Sequence, residues 1–210
     1  MTVTYDDILN GFVDPKRFSL IAPSVPKSAE FPDVDTGGIM VFGSYPQGFN
    51  GELAPIVWRP LHANDDGTVT FISEYGLDVI PFNNEYKAVT WNDCSLRKWL
   101  NNDFCLTAFT DRELNRIVTD ERGDKVSLLD IDEAQRYFSS DEDRQCRPTD
   151  YAKAKAAYIP SNGGWMWWLR LHGIESSHAA SVRSDGTVNH YGLSVDIEGL
   201  VVRPVVVLRP

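Results

Sequence analysis

From residue 165 the chain runs Trp165-Met166-Trp167-Trp168-Leu169-Arg170-Leu171, an apolar stretch of β type with three tryptophans in its first four positions. Successive side chains of a strand point to opposite faces, so Trp165 and Trp167 share one face and Met166 and Trp168 the other. One face is core. The other packs under the helices that precede it in the chain, with an exposed aromatic binding platform as the alternative. Downstream, the β character continues through His178 to Arg183, the turn Ser184-Asp185-Gly186, Thr187 to Tyr191, and Leu200 to Leu208. Upstream, the centre of the chain is helical, and the first third is again β-rich. Strands that bracket helices, with no regular βαβ alternation, predict a mixed antiparallel α+β fold.

In the first third, Ile39-Met40-Val41-Phe42 reads as a buried strand followed by the turn-rich Gly43-Ser44-Tyr45-Pro46-Gln47-Gly48. Ile56 to Leu61 and Val69 to Ser73 read as two strands of a hairpin around Asp66-Gly67, a pair that accepts the positive φ of a tight turn. In the centre, Leu96, Trp99, Leu100 and Phe104 recur at helical spacing on a helix starting near Asp93 or Ser95. Thr110-Asp111-Arg112-Glu113 and Asp130-Ile131-Asp132-Glu133 have the form of helix starts, the second after a strand Val126 to Leu129, and a fourth helix begins at Thr149. Residues 1–37 differ from the rest: an acidic amphipathic start and then prolines at 15, 23, 26 and 32. They read as a short helix and an extended arm ahead of one domain over residues 38–210.

The chain has 210 residues, 42% apolar and 24% charged, which suits a globular protein that buries about 70% of its unfolded surface. Its net charge of −10 disfavours nucleic acid and anionic membranes as partners. No run approaches the roughly 18 apolar residues of a membrane span, and the acidic start is unlike a secretion signal. These features predict a cytoplasmic protein, with a phage particle or export by another route as the alternative setting. Cys94, Cys105 and Cys146 are an odd number and read as free thiols. On one continuous helix Cys94 and Cys105 would stand about 16 Å apart, too far to bridge.

Motifs that carry chemistry are few. Gly37-Gly38 and Gly163-Gly164 lack the spacing of phosphate loops, and His62, His172, His178 and His190 are not at ligand spacing on any predicted helix. No metal, cofactor or catalytic residue is assigned. Cys94, beside a helix start, is the best candidate for an activated thiolate, against burial as a small apolar residue. Trp91-Asn92-Asp93 matches a calcium-lectin signature in letters only and reads as a helix cap.

Phe42-Gly43-Ser44-Tyr45-Pro46-Gln47, Ile56 to Leu61, Ser95 to Asn101, Arg147 to Ala152, Trp167-Trp168-Leu169-Arg170 and Val202-Arg203-Pro204-Val205 together resemble an uncharacterised bacterial domain family with the same order of motifs. The closing run, a Trp-rich strand, a hairpin around Asp185-Gly186 and a Val-Arg-Pro strand, is similar to the C-type-lectin-like fold of formylglycine-generating enzymes and their relatives. That resemblance implies a twisted antiparallel sheet with two main helices and much irregular surface. The paired C-terminal cysteines of the enzymes and the carboxylate-amide motif of calcium lectins have no counterpart here. The size and C-terminal placement fit a third group, the variable proteins of diversity-generating retroelements, which bind protein or other ligands.

The resemblance therefore implies a non-enzymatic protein that holds a protein or glycan ligand on its C-terminal irregular face. Its candidate residues, between Trp168 and Val201, are His172, Glu175, Ser176, His178, Arg183, Asn189, His190, Tyr191 and Ser194. They are the short polar and aromatic types suited to adaptable contacts. Two rivals stand beside it: a thiol-dependent oxidase using Cys94 or Cys105, and a structural or phage-particle component with residues 1–37 as its docking arm.

Overall fold

Arg203 and Pro204 interrupt what the sequence presents as one β-run, and the break divides the closing segment between two sheets. The computed structural model describes residues 38–156 and 164–209, so the arm expected over residues 1–37 lies outside the described residues. Val201–Val202 forms β9 and Val205–Leu208 forms β10, in different sheets. Proline has no N–H to donate to a ladder. The Pro204 carbonyl instead accepts from the Ser73 N–H at 2.9 Å, and Arg203 Nε donates to the Ser73 carbonyl at 2.8 Å. The Arg203 guanidinium is fully buried between the rings of Phe138 and Trp167, at 5.4 and 5.3 Å.

The first sheet contains β1 (Met40–Pro46), β2 (Leu53–Ala63), β3 (Val69–Ser73), β10 and β5 (Val126–Ser127), in the order β1-β2-β3-β10-β5. The second contains β4 (Asp78–Val79), β9, β6 (Trp167–His172), β7 (His178–Val182) and β8 (Val188–Ser194), in the order β4-β9-β6-β7-β8. All pairings between these strands are antiparallel except β6 with β9. The fold is α+β, as strands that bracket helices predict, but with two sheets in place of the one that the resemblance implies. The segment read as turn-rich after Phe42 is partly strand: β1 continues to Pro46, with a register shift between Val41 and Ser44.

The apolar stripe of the centre forms α1, residues 95–108: α-helical over Ser95–Trp99, π-helical over Leu100–Phe104 and α-helical again over Cys105–Ala108. In the π segment Asn101 covers the edge of β5, its side chain accepting from Lys125 and Val126 N–H and donating to the Val126 carbonyl. Four short helices follow: α2 (Asp111–Leu114), α3 (Ile131–Arg136), α4 (Asp141–Arg144) and α5 (Asp150–Lys155). Both predicted helix starts are capping boxes, Thr110 with Glu113 and Asp130 with Glu133. The described residues thus hold one long helix rather than two, because the apolar stripes behind the later caps end within about a turn and a half.

The alternation of the tryptophans holds. Trp168 is buried in the core against α1 with Phe82, Leu96 and Phe104, whereas Trp165 and Trp167 belong to a second core with Phe138, Leu169 and Val182. Both faces of β6 are therefore covered, and the exposed aromatic platform is not formed.

Candidate functional site

On either side of β7 the ladder is interrupted at the same place. Trp168 and His172 of β6 are four positions apart, while their partners Ser181 and Ala179 are two apart. Asn189 and Leu193 of β8 pair with the same two residues, again four positions against two. Each neighbour thus carries two extra residues beside Ala180, and such bulges bend a strand and re-aim its side chains. Here they turn Leu171, His190 and Tyr191 into solvent, Tyr191 with 69% of its surface exposed.

The turn between β6 and β7 folds back over this bulge. Gly173 N–H donates to the His178 carbonyl at 2.7 Å, and Ile174 N–H donates to the Tyr191 carbonyl at 3.1 Å. A Cβ at Gly173 would stand 2.2 Å from the Tyr191 carbonyl oxygen, so only glycine fits. Ile174 is 73% exposed, so two large side chains, Ile174 and Tyr191, stand in water on segments that this backbone bond joins.

Of the predicted residues, His172, Glu175, Ser176 and Tyr191 are exposed at this end, with His178 and Ser194 half-buried there as directly paired partners. His172 Nδ1 lies 2.7 Å from the Gly173 carbonyl, and His178 Nδ1 lies 3.5 Å from Glu175. His190 is exposed on the α3 side, 3.3 Å from Gln135. Arg183 stands at the opposite end of β7, by the Asp185-Gly186 turn, and so outside the group. Asn189 is buried; its side chain accepts from Arg183 and donates to the Gly192 carbonyl, so it is scaffold. Among the described residues no three of His, Cys, Asp and Glu converge as metal ligands, and His172 and His178 find no third.

A cleft of about 630 Å³ opens beside the turn. One wall is His172, Ile174 and Ser176; the other is the 87–93 segment and Lys98 of α1. The walls are tied by the Val89 N–H donating to the Ser176 carbonyl at 3.0 Å. The second wall was not foreseen, because that single backbone contact joins segments some 85 residues apart and leaves no trace in local pattern. Its geometry comes from the start of α1. Cys94 is the N-cap, its Sγ accepting from Arg97 N–H at 3.3 Å, and Arg97 Nε and the Trp91 indole both donate to buried Asp124. Trp91-Asn92-Asp93 is thus a turn leading into a helix, with Cys94 rather than Asn92 or Asp93 as the cap.

The three cysteines are free and buried. Burial pushes the Cys94 and Cys105 thiols up to about 11 and raises that of Cys146. At Cys94 the helix N–H groups pull the other way, but desolvation is the larger effect, so the residue is the small buried group weighed in the sequence against an activated thiolate.

A family model described as Domain of unknown function (DUF6273) matches residues 66–121 and 118–210, more than half of the chain. The chain belongs to the DUF6273 family. No curated protein and no solved structure matches it. The DUF6273 span takes in both walls of the cleft and both bulged strands, whereas β1 and all of β2 precede it. Among the described residues no helix is long and apolar enough to cross a membrane.

Proposed function

We propose that this DUF6273 domain is a non-enzymatic ligand-binding module of the C-type-lectin-like kind, which holds a protein or glycan on the face made by the β6–β7 turn, the β8 bulge and the adjoining cleft. The observation that carries the reading is the exposed Ile174–Tyr191 pair set beside that cleft on a scaffold buried on both sides. Large apolar side chains clustered in water next to polar groups mark recognition surfaces. The buried thiols weigh against the oxidase, since a nucleophilic cysteine needs access and a lowered pKa.

Retention of the protein on arrays of immobilised glycans and proteins tests this reading, with a Cys94→Ala/Cys105→Ala variant beside the wild type. Equal retention of both is expected, and a ligand released only in altered form, with turnover lost in the variant, would favour the enzyme. The narrower reading is a retroelement-diversified protein. Its test is to sequence the flanking DNA for a near-copy of the last third of the gene, differing mainly at adenines, beside a reverse transcriptase. Absence of that copy leaves a domain with a fixed ligand.

A further inference from the structure

In a chain of net charge −10, the cleft beside the β6–β7 turn gathers Lys87 and Lys98 beside a single carboxylate, Asp93, with the His172 ring on the facing wall. Lys87 is shared with Glu85 at 2.8 Å, but no carboxylate among the described residues pairs with Lys98. An exposed ammonium in an acidic protein without an acid partner is a ready counter-charge for a ligand anion. Around it stand groups of other kinds. Asp93 accepts from the Thr90 hydroxyl at 2.8 Å and keeps further lone pairs for donors, Ser176 presents a second hydroxyl, and Ile174 supplies an apolar wall.

We propose that this cleft binds an acidic sugar residue, with its carboxylate on Lys98 and its ring hydroxyls shared between Asp93 and Ser176. The inference rests on the ligand-binding reading given above and narrows the ligand to one class. Asp93 decides between anions: it repels a bare inorganic anion or a multiply charged one, but accepts from hydroxyls that a sugar carries next to its carboxylate. The apolar edge of a pyranose ring suits Ile174. A volume of about 630 Å³ lies within the range of small-molecule sites and accommodates one or two sugar units.

The test is titration of the isotope-labelled full chain with sodium D-glucuronate, D-glucose and sodium acetate at one ionic strength, followed by amide shifts. Glucuronate is expected to move the amides of residues 87–98 and 172–176 in a saturable way, at least tenfold tighter than glucose or acetate. Lys98→Gln should reduce glucuronate to the level of glucose, and Asp93→Asn should raise acetate relative to glucuronate. Lys98 and Asp93 are exposed, so melting temperatures of both variants should match the wild type. Equal response to glucose and glucuronate, or a Lys98→Gln variant that binds glucuronate as the wild type does, overturns the assignment of an acidic sugar and leaves the binding face itself standing. Failure of all three probes to move the cleft amides overturns it too; the array measurement then decides separately whether the face binds anything.

Discussion

Gly173 and Gly192 meet backbone to backbone: a Cβ on Gly173 would stand 2.9 Å from Gly192 Cα, and a Cβ on Gly192 2.9 Å from Gly173 Cα. Gly192 also has φ of +79°, where side chains are strained. This contact seats the β6–β7 turn on the β8 bulge and brings the Ile174 N–H to the Tyr191 carbonyl. Gly173→Ala is therefore expected to lift the turn off β8, seen as faster hydrogen exchange at the amides of residues 173 and 174, while amides of β2 and β3 keep their protection.

The two Asp-Gly-Thr-Val turns use the same chemistry, with the aspartate accepting from the threonine N–H at 3.0 Å in both. Their surroundings differ. A Cβ at Gly67 meets nothing within 4 Å, whereas one at Gly186 would lie 1.7 Å from the Asp141 carbonyl oxygen. Gly67→Ala should cost about 1 kcal/mol, from its positive φ alone, and Gly186→Ala roughly 3 kcal/mol or more. Urea unfolding of the two variants checks the order.

Asn189 and His190 are neighbours with opposite roles. Asn189→Ala removes a buried amide together with its bond to the half-buried Gly192 carbonyl, at a cost of about 1–3 kcal/mol. His190→Ala removes an exposed ring and should change stability by less than about 0.5 kcal/mol. Equal losses in thermal melts would show that His190 too is part of the scaffold.

Folding raises the Cys94 and Cys105 thiols from 9.0 to about 11. A group held neutral in the fold contributes stability that is intact below the unfolded pKa and declines as pH climbs to the folded one. Stability should then fall between pH 9 and 11, by about 1.4 kcal/mol per thiol for each pH unit in that window. Urea unfolding at pH 8 and pH 10.5 measures the slope, which Cys94→Ala should reduce. Alkylation of the native protein at pH 8 should be slow until it is unfolded.

What local chemistry dictates was legible in the chain. The Asp66-Gly67 hairpin, the two capping boxes, the stripe from Leu96 to Phe104 and the two-sided burial of the tryptophans each follow from spacing within a dozen residues. The break at Arg203-Pro204 was not, because a run of valines has the same period whichever sheet receives it; only the seating of Arg203 between Phe138 and Trp167 separates the two halves. The bulges of β6 and β8 were hidden for a similar reason, since they depend on the close approach of Gly173 and Gly192 in space. Of the candidate residues, those around Tyr191 come together, whereas Arg183 lies at the far turn, where its place beside Asp185-Gly186 already puts it, and Asn189 turns inward, because the strand pattern does not reveal which of its positions the fold covers.

The most direct measurement is array retention of an Ile174→Ser/Tyr191→Ser variant against the wild type. Both side chains are mostly in water, so the variant should melt with the wild type. The wild type should be retained on at least one immobilised glycan or protein, and the variant should lose that retention tenfold or more. Equal retention of the two proteins, or none for the wild type, would contradict a binding face at this end of the second sheet.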